Sequence, residues 1–404
     1  MQLTSAQPRD GAGVALSPVK RLASAERLAR LRLIRSDGIG PRTYHGLMQR
    51  FPSATDVIAQ LPDLARQAGR KGVRLAAEGA VAQEVRDLER LGGRLLILGD
   101  DDYPTALAAI PDAPPVLSVL GDVALLSAPS LAIVGARNAS TNGRAICRSL
   151  AGEIGAEGIV VVSGLARGID AEAHAAALST GTVAVVAGGI DRVYPPENAA
   201  LRQQIIDGGV LVAEGPLGAE PKARDFPRRN RIIAGLARGI LVIEAQMRSG
   251  SLITARLANE YGRDVYAVPG SPLDPRARGA NRLIRDGARL VETAADVMDE
   301  FLPMMHRPLP VPDLAGTGPA PDLLERLTDT EQDQAEGADA GLTLPDRLLQ
   351  ALSMEPVDAD RLMRETGLSA ADFQVAILDL ELSGAVVRHA GNRISLASGV
   401  TGAR

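Results

Sequence analysis

Between Gly93 and Phe301 the chain repeats one pattern, a short run rich in Val, Ile and Leu followed by a longer stretch of helical spacing. The runs are LLIL (95–98), VLSVL (116–120), SLAIVG (130–135), IVVVSG (159–164), TVAVVAG (182–188), VLVAEG (210–215), ILVIEA (240–245), DVYAVPG (264–270) and ARLVE (288–292). A strand with one face in water alternates apolar and polar residues. These runs are largely continuous, so both faces must be covered. Strands covered on both faces and joined through helices form a doubly wound, mostly parallel sheet, which sets the fold class as α/β. In such sheets ligands sit beyond the carboxyl ends of the strands. The loops at those ends are GARNASTNG, GLARGID, GGIDRVYPPEN, GPLGAEPKARDFPRRN and EAQMRSGS, most of them rich in Gly and Arg.

Charge singles out one loop. Lys222, Arg224, Arg228, Arg229, Arg231 and Arg238 stand against one acid, Asp225, in a chain of net charge −5. Positive charge gathered at one place on an acidic protein offers phosphates a site without making the whole surface adhesive. The expected ligand is a polyanion. Aromatic residues are scarce, and Phe226 is the only Phe between Phe51 and Phe301. It is the candidate for stacking on a base.

The flanks read differently. Residues 1–19 are expected to be a loose tail, and residues 20–92 a helical unit. Its Gly38-Ile39-Gly40-Pro41 turn resembles a helix-hairpin-helix or SAM-like unit, whose glycine amides either meet a phosphate or simply close a tight turn. Residues 303–342 read as an acidic linker, since nine acids and one Arg lie between Asp313 and Asp346. Three helical segments and a hairpin around Gly391-Asn392 then predict a winged helix at 343–399. The single cysteine, Cys147, excludes an intramolecular disulfide and reads as a buried small hydrophobe. The four histidines are far apart in sequence, so a histidine metal site is not expected. With no signal-peptide pattern and no membrane-spanning run, a soluble, cytoplasmic chain without a cofactor is expected.

Within the 93–302 domain, Gly135 ends a strand and Arg137 projects where an anion would sit on the next helix. Arg137 stands where a dinucleotide fingerprint needs its second glycine, so that fingerprint is absent. The next loop supplies Ser163, Gly164, Arg167 and Gly168. Asp170 and His174 share a helix face and are assigned to capping and an internal hydrogen bond. Ser249, Gly250 and Ser251 begin another helix, as a phosphate cradle or as a cap, with even weight on each. Glu244 ends a strand and is expected to pair with an arginine.

These loops, in this order, resemble the DNA-processing protein A family, the Smf/DprA proteins of bacteria. The matching stretches are GAR (135–137), SGLARGIDAEAHAAAL (163–178), VYPPEN (193–198), FPRRNRIIAGL (226–236), SGSLITARLA (249–258), VPGS (268–271) and GANRLIRDGA (279–288). The resemblance implies an extended Rossmann-like core that binds single-stranded DNA, a homodimer, and loading of the RecA recombinase in natural transformation. Its DNA pocket falls on Arg137, the 163–168 loop and FPRRNR, so that Phe226, Arg228, Arg229, Asn230 and Arg231 join the expected site, to which the basic cluster adds Lys222. One departure is Ala136, where many members carry a serine hydroxyl that can donate to phosphate.

Two other functions meet obstacles in the sequence. Phosphoribohydrolase-like Rossmann proteins use a PGGxGTxxE loop, but aligning Gly250-Ser251 with their Gly-Thr pair puts Thr254 where the catalytic Glu belongs. A hydrolase without that carboxylate lacks its acid or base, so an enzyme is not expected. A transcription regulator would read DNA with its winged helix. The segment from Leu368 to Gly384, however, holds Asp372, Asp379 and Glu381 and no Lys or Arg, which points to a protein ligand there.

Overall fold

The computed structural model describes residues 21–67, 74–304 and 343–397. The expected tail at 1–19, and all but the first two residues of the expected linker at 303–342, lie outside the described residues. Four helices come first, α1 (Ser24–Ile34), α2 (Pro41–Arg50), α3 (Ala54–Gln67) and α4 (Glu78–Arg90). Leu33, Tyr44 and Val57 form part of their small core. Arg35 ties this unit down by pairing with Glu84 at 2.9 Å and donating to the Glu214 carbonyl at 3.1 Å.

The nine apolar runs are the nine strands of one sheet: β1 (Arg94–Ile97), β2 (Val116–Gly121), β3 (Ser130–Gly135), β4 (Val160–Ser163), β5 (Thr182–Gly189), β6 (Val210–Gly215), β7 (Gly239–Ile243), β8 (Asp264–Ala267) and β9 (Arg289–Leu290). Their order is β1-β2-β6-β5-β4-β3-β7-β8-β9. From β6 across to β9 every pairing is parallel, while β2 runs antiparallel to β6 and β1 antiparallel to β2. The helices between and after them are α5 (Thr105–Ala108), α6 (Thr141–Ala156), α7 (Ile169–Ala177), α8 (Ala199–Gly208), α9 (Asp225–Leu236), α10 (Gly250–Glu260), α11 (Arg278–Arg285) and α12 (Ala294–Met304).

Both faces of the sheet are covered, which is why the strands carry no polar alternation. Leu131 and Ile133 of β3 pack with α6, α7 and α12, whereas Ala132 and Val134 pack toward α9 and α10. Cys147 sits in the first of these layers, where burial pushes its thiol pKa up. The chain winds outward from β3 through β4 and β5 to β6, then returns to lay β7 on the other side of β3. Connections therefore diverge between β3 and β7, where open sheets of this kind hold their ligands.

The basic stretch is not the loop that the sequence predicts. Phe226 to Leu236 belongs to α9, whose Ile232, Ile233 and Leu236 join the sheet's core. The arginines crowd its first turns and hide the helical period there.

The winged helix holds helices Leu344–Ala351, Ala359–Thr366 and Ala370–Leu382, with strands β11 (Val386–His389) and β12 (Arg393–Leu396). Gly391 and Asn392 both take left-handed backbone in the hairpin turn. A further strand, β10 (Val357–Asp358), pairs with β12. This unit is docked on the sheet domain. Arg276, buried beside Asp274, donates to the carbonyls of Gln350 (2.9 Å) and Leu352 (2.6 Å). Arg361 donates to the Thr141 carbonyl at 3.0 Å, and Arg148 pairs with Glu365 at 2.8 Å.

Candidate nucleic-acid interface

The loops after β3, β4 and β5 meet the first turn of α9 around one pocket. Arg137, Gly164, Leu165, Ala166, Arg167, Val186, Ala187, Tyr194, Pro195, Phe226 and Arg229 line it. Phe226 is only 8% exposed. The Arg137 guanidinium lies 5.3 Å from the centre of its ring and that of Arg229 6.0 Å, both within cation–π reach. The Tyr194 ring tilts against it with 5.4 Å between centroids. Phe226 is thus covered on several sides, and Tyr194, 42% exposed, is the open aromatic of the pair. The sequence reading did not single out Tyr194. The signal was an aromatic beside two prolines in a loop at the carboxyl edge, where no core demands one.

The expected cations divide. Arg137 is half-buried, and among the described residues no carboxylate pairs with it. Lys222, Arg224 and Arg228 are exposed at the start of α9, likewise without an ion pair among the described residues. Arg167 stands at the pocket with Glu197 at 3.5 Å. Arg231 belongs elsewhere, contrary to its assignment as a DNA contact. It is buried, pairs with Glu214 at 2.5 Å and donates to the Asp112 carbonyl. Burial alone would lower its pKa, but Glu214 and Asp112 outweigh that and raise it. Asn230 also turns inward, donating to the Gly250 carbonyl at 3.3 Å.

Arg229 is buried too, yet it shapes the pocket from behind. Its guanidinium donates to the carbonyls of Gly164 and Val185 and lies beside Asp170. The Asp170 carboxylate, itself buried, accepts from Gly164 N (3.1 Å) and Ala166 N (3.4 Å). Burial raises the Asp170 pKa, with Arg229 and these N–H groups pulling the other way. The Thr182 hydroxyl donates to the Val161 carbonyl at 2.8 Å, so it accepts from His174 Nδ1–H at 2.7 Å. That tautomer leaves Nε2 to accept from Leu165 N at 3.3 Å. Burial, then the charge of Arg229, pushes the imidazole pKa down to about 3, which keeps the ring neutral. Leu165 takes left-handed backbone, φ 55°, under this hold.

Three amides of the 163–168 loop are therefore engaged inside the protein. Gly164 N–H is turned inward although the residue belongs to the expected site, and the Ser163 hydroxyl donates to the Ile133 carbonyl at 2.6 Å. Two glycines serve packing. A Cβ on Gly135 would meet the Ile243 carbonyl, and one on Gly168, at φ 72°, the carbonyls of Ala136 and Arg137. At the start of α10 the Ser249 and Ser251 hydroxyls lie 2.8 Å apart, and the helix has no side-chain cap. Asp170 and His174 make the expected internal hydrogen bonds but do not cap α7, whose N-cap residue Gly168 has no side-chain cap.

Glu244 departs from its expected arginine pairing. With φ 52° at the end of β7, it turns its carboxylate onto the start of α6 and accepts from Ser140 N (2.8 Å) and from the Ser140 hydroxyl. It fills the crevice between β3 and β7 where a nucleotide phosphate would lie on the helix N-terminus. Thr254 donates back to the Gly250 carbonyl at 3.2 Å.

Comparison with known proteins places this geometry. The family model for DNA recombination-mediator protein A matches residues 94–302, a DprA-like N-terminal HHH domain matches 24–86, and a DprA winged helix domain matches 331–392. Protein Smf of Synechocystis sp. is 34% identical over 77% of this chain and 82% of its own length. DNA processing protein DprA of Streptococcus pneumoniae is 47% identical over 50% of this chain and 72% of its own. An X-ray structure of the Streptococcus pneumoniae protein superposes with a TM-score of 0.60 at 34% identity, covering 70% of this chain and 99% of that one. The chain, with its Rossmann-like sheet, helical N-terminal domain and winged helix, belongs to the DNA recombination-mediator protein A family.

Proposed function

We propose that this chain binds single-stranded DNA without chemical turnover, at the pocket between Arg137, Tyr194 and the start of α9. The observation that carries it is the set of cations without acidic partners among the described residues, Arg137, Lys222, Arg224 and Arg228, beside one exposed ring on an acidic chain. Such cations follow a phosphate backbone, and an exposed ring accepts any base by stacking, which gives sequence-tolerant binding. A duplex fits less well, because its bases must unstack to reach Tyr194, at a few kcal/mol. The engaged Glu244 carboxylate and the inward Thr254 hydroxyl support binding over glycosidic hydrolysis, which needs a free acid and base. Family membership and the likeness to DNA-processing proteins support a part in DNA uptake and recombination in the cytoplasm. On that support the bound strand is held for the RecA recombinase by a homodimer.

Fluorescence anisotropy of labelled oligonucleotides across a salt series tests the reading. The expected result is single-strand affinity above duplex affinity, falling with salt and weakened by Arg137→Ala. Equal affinity for both forms, or an Arg137→Ala variant indistinguishable from the parent, overturns it. Nucleoside-monophosphate hydrolysis abolished by Glu244→Gln would overturn the non-catalytic half.

A further inference from the structure

The winged helix turns one apolar ridge to water. In the helix Ala370–Leu382, Phe373, Ala376, Ile377 and Leu380 are buried in the unit's own core. On the opposite face Val375 is 62% exposed, Leu378 54% and Leu382 78%. With exposed Ala371 they follow the i, i+4, i+7, i+11 spacing of a single stripe, roughly 16 Å long at the helical rise. Isolated surface apolar residues are ordinary, but an aligned set on a helix is not. The contacts that dock this unit on the sheet domain use its other parts, Gln350, Leu352, Arg361 and Glu365. Among the described residues, these contacts leave the ridge open.

Charge decides what covers it. Asp372 and Asp379 border the stripe on one side, no Lys or Arg lies in this helix, and Glu381 on the other side is already paired with Arg388 of β11 at 2.7 Å. Across residues 343–397 eight acids stand against five arginines. Nucleic acid is repelled by such a face, since a helix in a groove sits among phosphates. A second copy of the same ridge would bring no basic residue of its own helix to Asp372 and Asp379. An apolar stripe with an acidic border is complementary to an apolar stripe with a basic border.

We propose that this helix is a docking site for a basic amphipathic helix of another protein, about three turns long, whose Leu-type residues cover Val375, Leu378 and Leu382 while its Lys or Arg residues meet Asp372 and Asp379. The site is independent of the DNA pocket, and its test does not use DNA binding as the readout.

The probe is a synthetic leucine–lysine amphipathic peptide of about 18 residues, long enough to hold a helix in water, titrated against the full chain. The controls are the same composition scrambled to abolish the apolar face, and a leucine–glutamate version. The amphipathic basic peptide is expected to bind at least about tenfold more tightly than either control. Val375→Lys with Leu382→Lys should erase that preference. Val375→Ser with Leu382→Ser, which adds no charge, should weaken it too, separating lost apolar contact from added repulsion. Both pairs lie on exposed positions, and an unchanged melting curve is expected. Equal binding of the scrambled peptide, or a serine variant that binds like the parent, overturns the proposal. So does a self-association that the variants abolish, which assigns the ridge to a second copy, or a duplex affinity that they abolish, which assigns it to DNA.

Discussion

The approach to α9 and its first turns carry basic residues in opposite situations. Lys222, Arg224 and Arg228 lie in water with no acidic partner among the described residues, whereas Arg229 and Arg231 are enclosed, one by carbonyls and Asp170, the other by Glu214 and Asp112. Sequence places all five within ten residues and gives them one meaning. Burial splits that meaning. An exposed arginine keeps its charge available to a phosphate, while a buried one has exchanged water for fixed partners and acts through the shape that it holds. On this helix, position relative to the sheet decides the role, and charge does not.

The largest effect that tests this division is on the buried side. Arg231→Met strands Glu214 beside Asp112 without their cation, and removing one partner of a buried pair costs about 3–5 kcal/mol. Thermal or denaturant unfolding should show a loss of that size. The salt dependence of oligonucleotide binding, measured on the folded fraction, should not change. A variant that unfolds like the parent but binds DNA poorly would move Arg231 back into the interface.

A second test uses pH. His174 has a folded pKa of about 3 against an ordinary 6.5. The folded state therefore favours the neutral ring, so its contribution is complete above pH 6.5 and is lost as pH falls from there toward 3. The slope on that limb approaches about 1.4 kcal/mol per pH unit. Asp170, raised by burial, acts in the opposite sense, since its protonation as pH falls favours the folded state. Comparison of His174→Gln with the parent isolates the imidazole. The variant should start less stable at pH 7 and lose less on acidification. Parallel curves would show that the ring is not held neutral by the fold.

How far the sequence carried this reading follows from the same physics. The central strands are legible because a strand covered on both faces must be apolar at nearly every position, and LAIV or VVVS leaves little else to be, whereas the edge strand β9 (Arg289–Leu290) is partly exposed. The winged helix is legible from the three helical segments and the Gly391-Asn392 turn. The two-residue β10 was not, since Val357-Asp358 carries no period. At the site, Arg137 and the basic start of α9 are legible as charge on an acidic chain. The inward turn of Arg231 is not, because its partners Asp112 and Glu214 lie far away in sequence. Nor is the loss of the loop amides, because Asp170 and His174 reveal their targets only once α7 lies under the 163–168 loop.

Between the two rings the comparison sharpens again. Tyr194→Ala should lower single-strand affinity by about 1–3 kcal/mol, the usual worth of one stacked base, with little change in melting. Phe226→Leu should do the reverse, because its ring is enclosed by Arg137, Arg229 and Tyr194. If Phe226→Leu melts like the parent and binds weakly, the base enters deeper than Tyr194 and the buried ring stacks after all.

The smallest expected effect is the most direct probe of the exposed cations leading into α9. For single strands each phosphate contact contributes about 0.7 to the slope of log affinity against log salt. Arg228→Ala should remove one such contact, and Arg224→Ala with Arg228→Ala two, with no loss of melting temperature because neither guanidinium has an acidic partner among the described residues. Lys222→Ala added to that pair should lower the slope by a third step if the strand runs along the start of the helix. A slope that stops falling after Arg228 would end the strand's path there, since further exposed cations that met phosphate would each have to show their share.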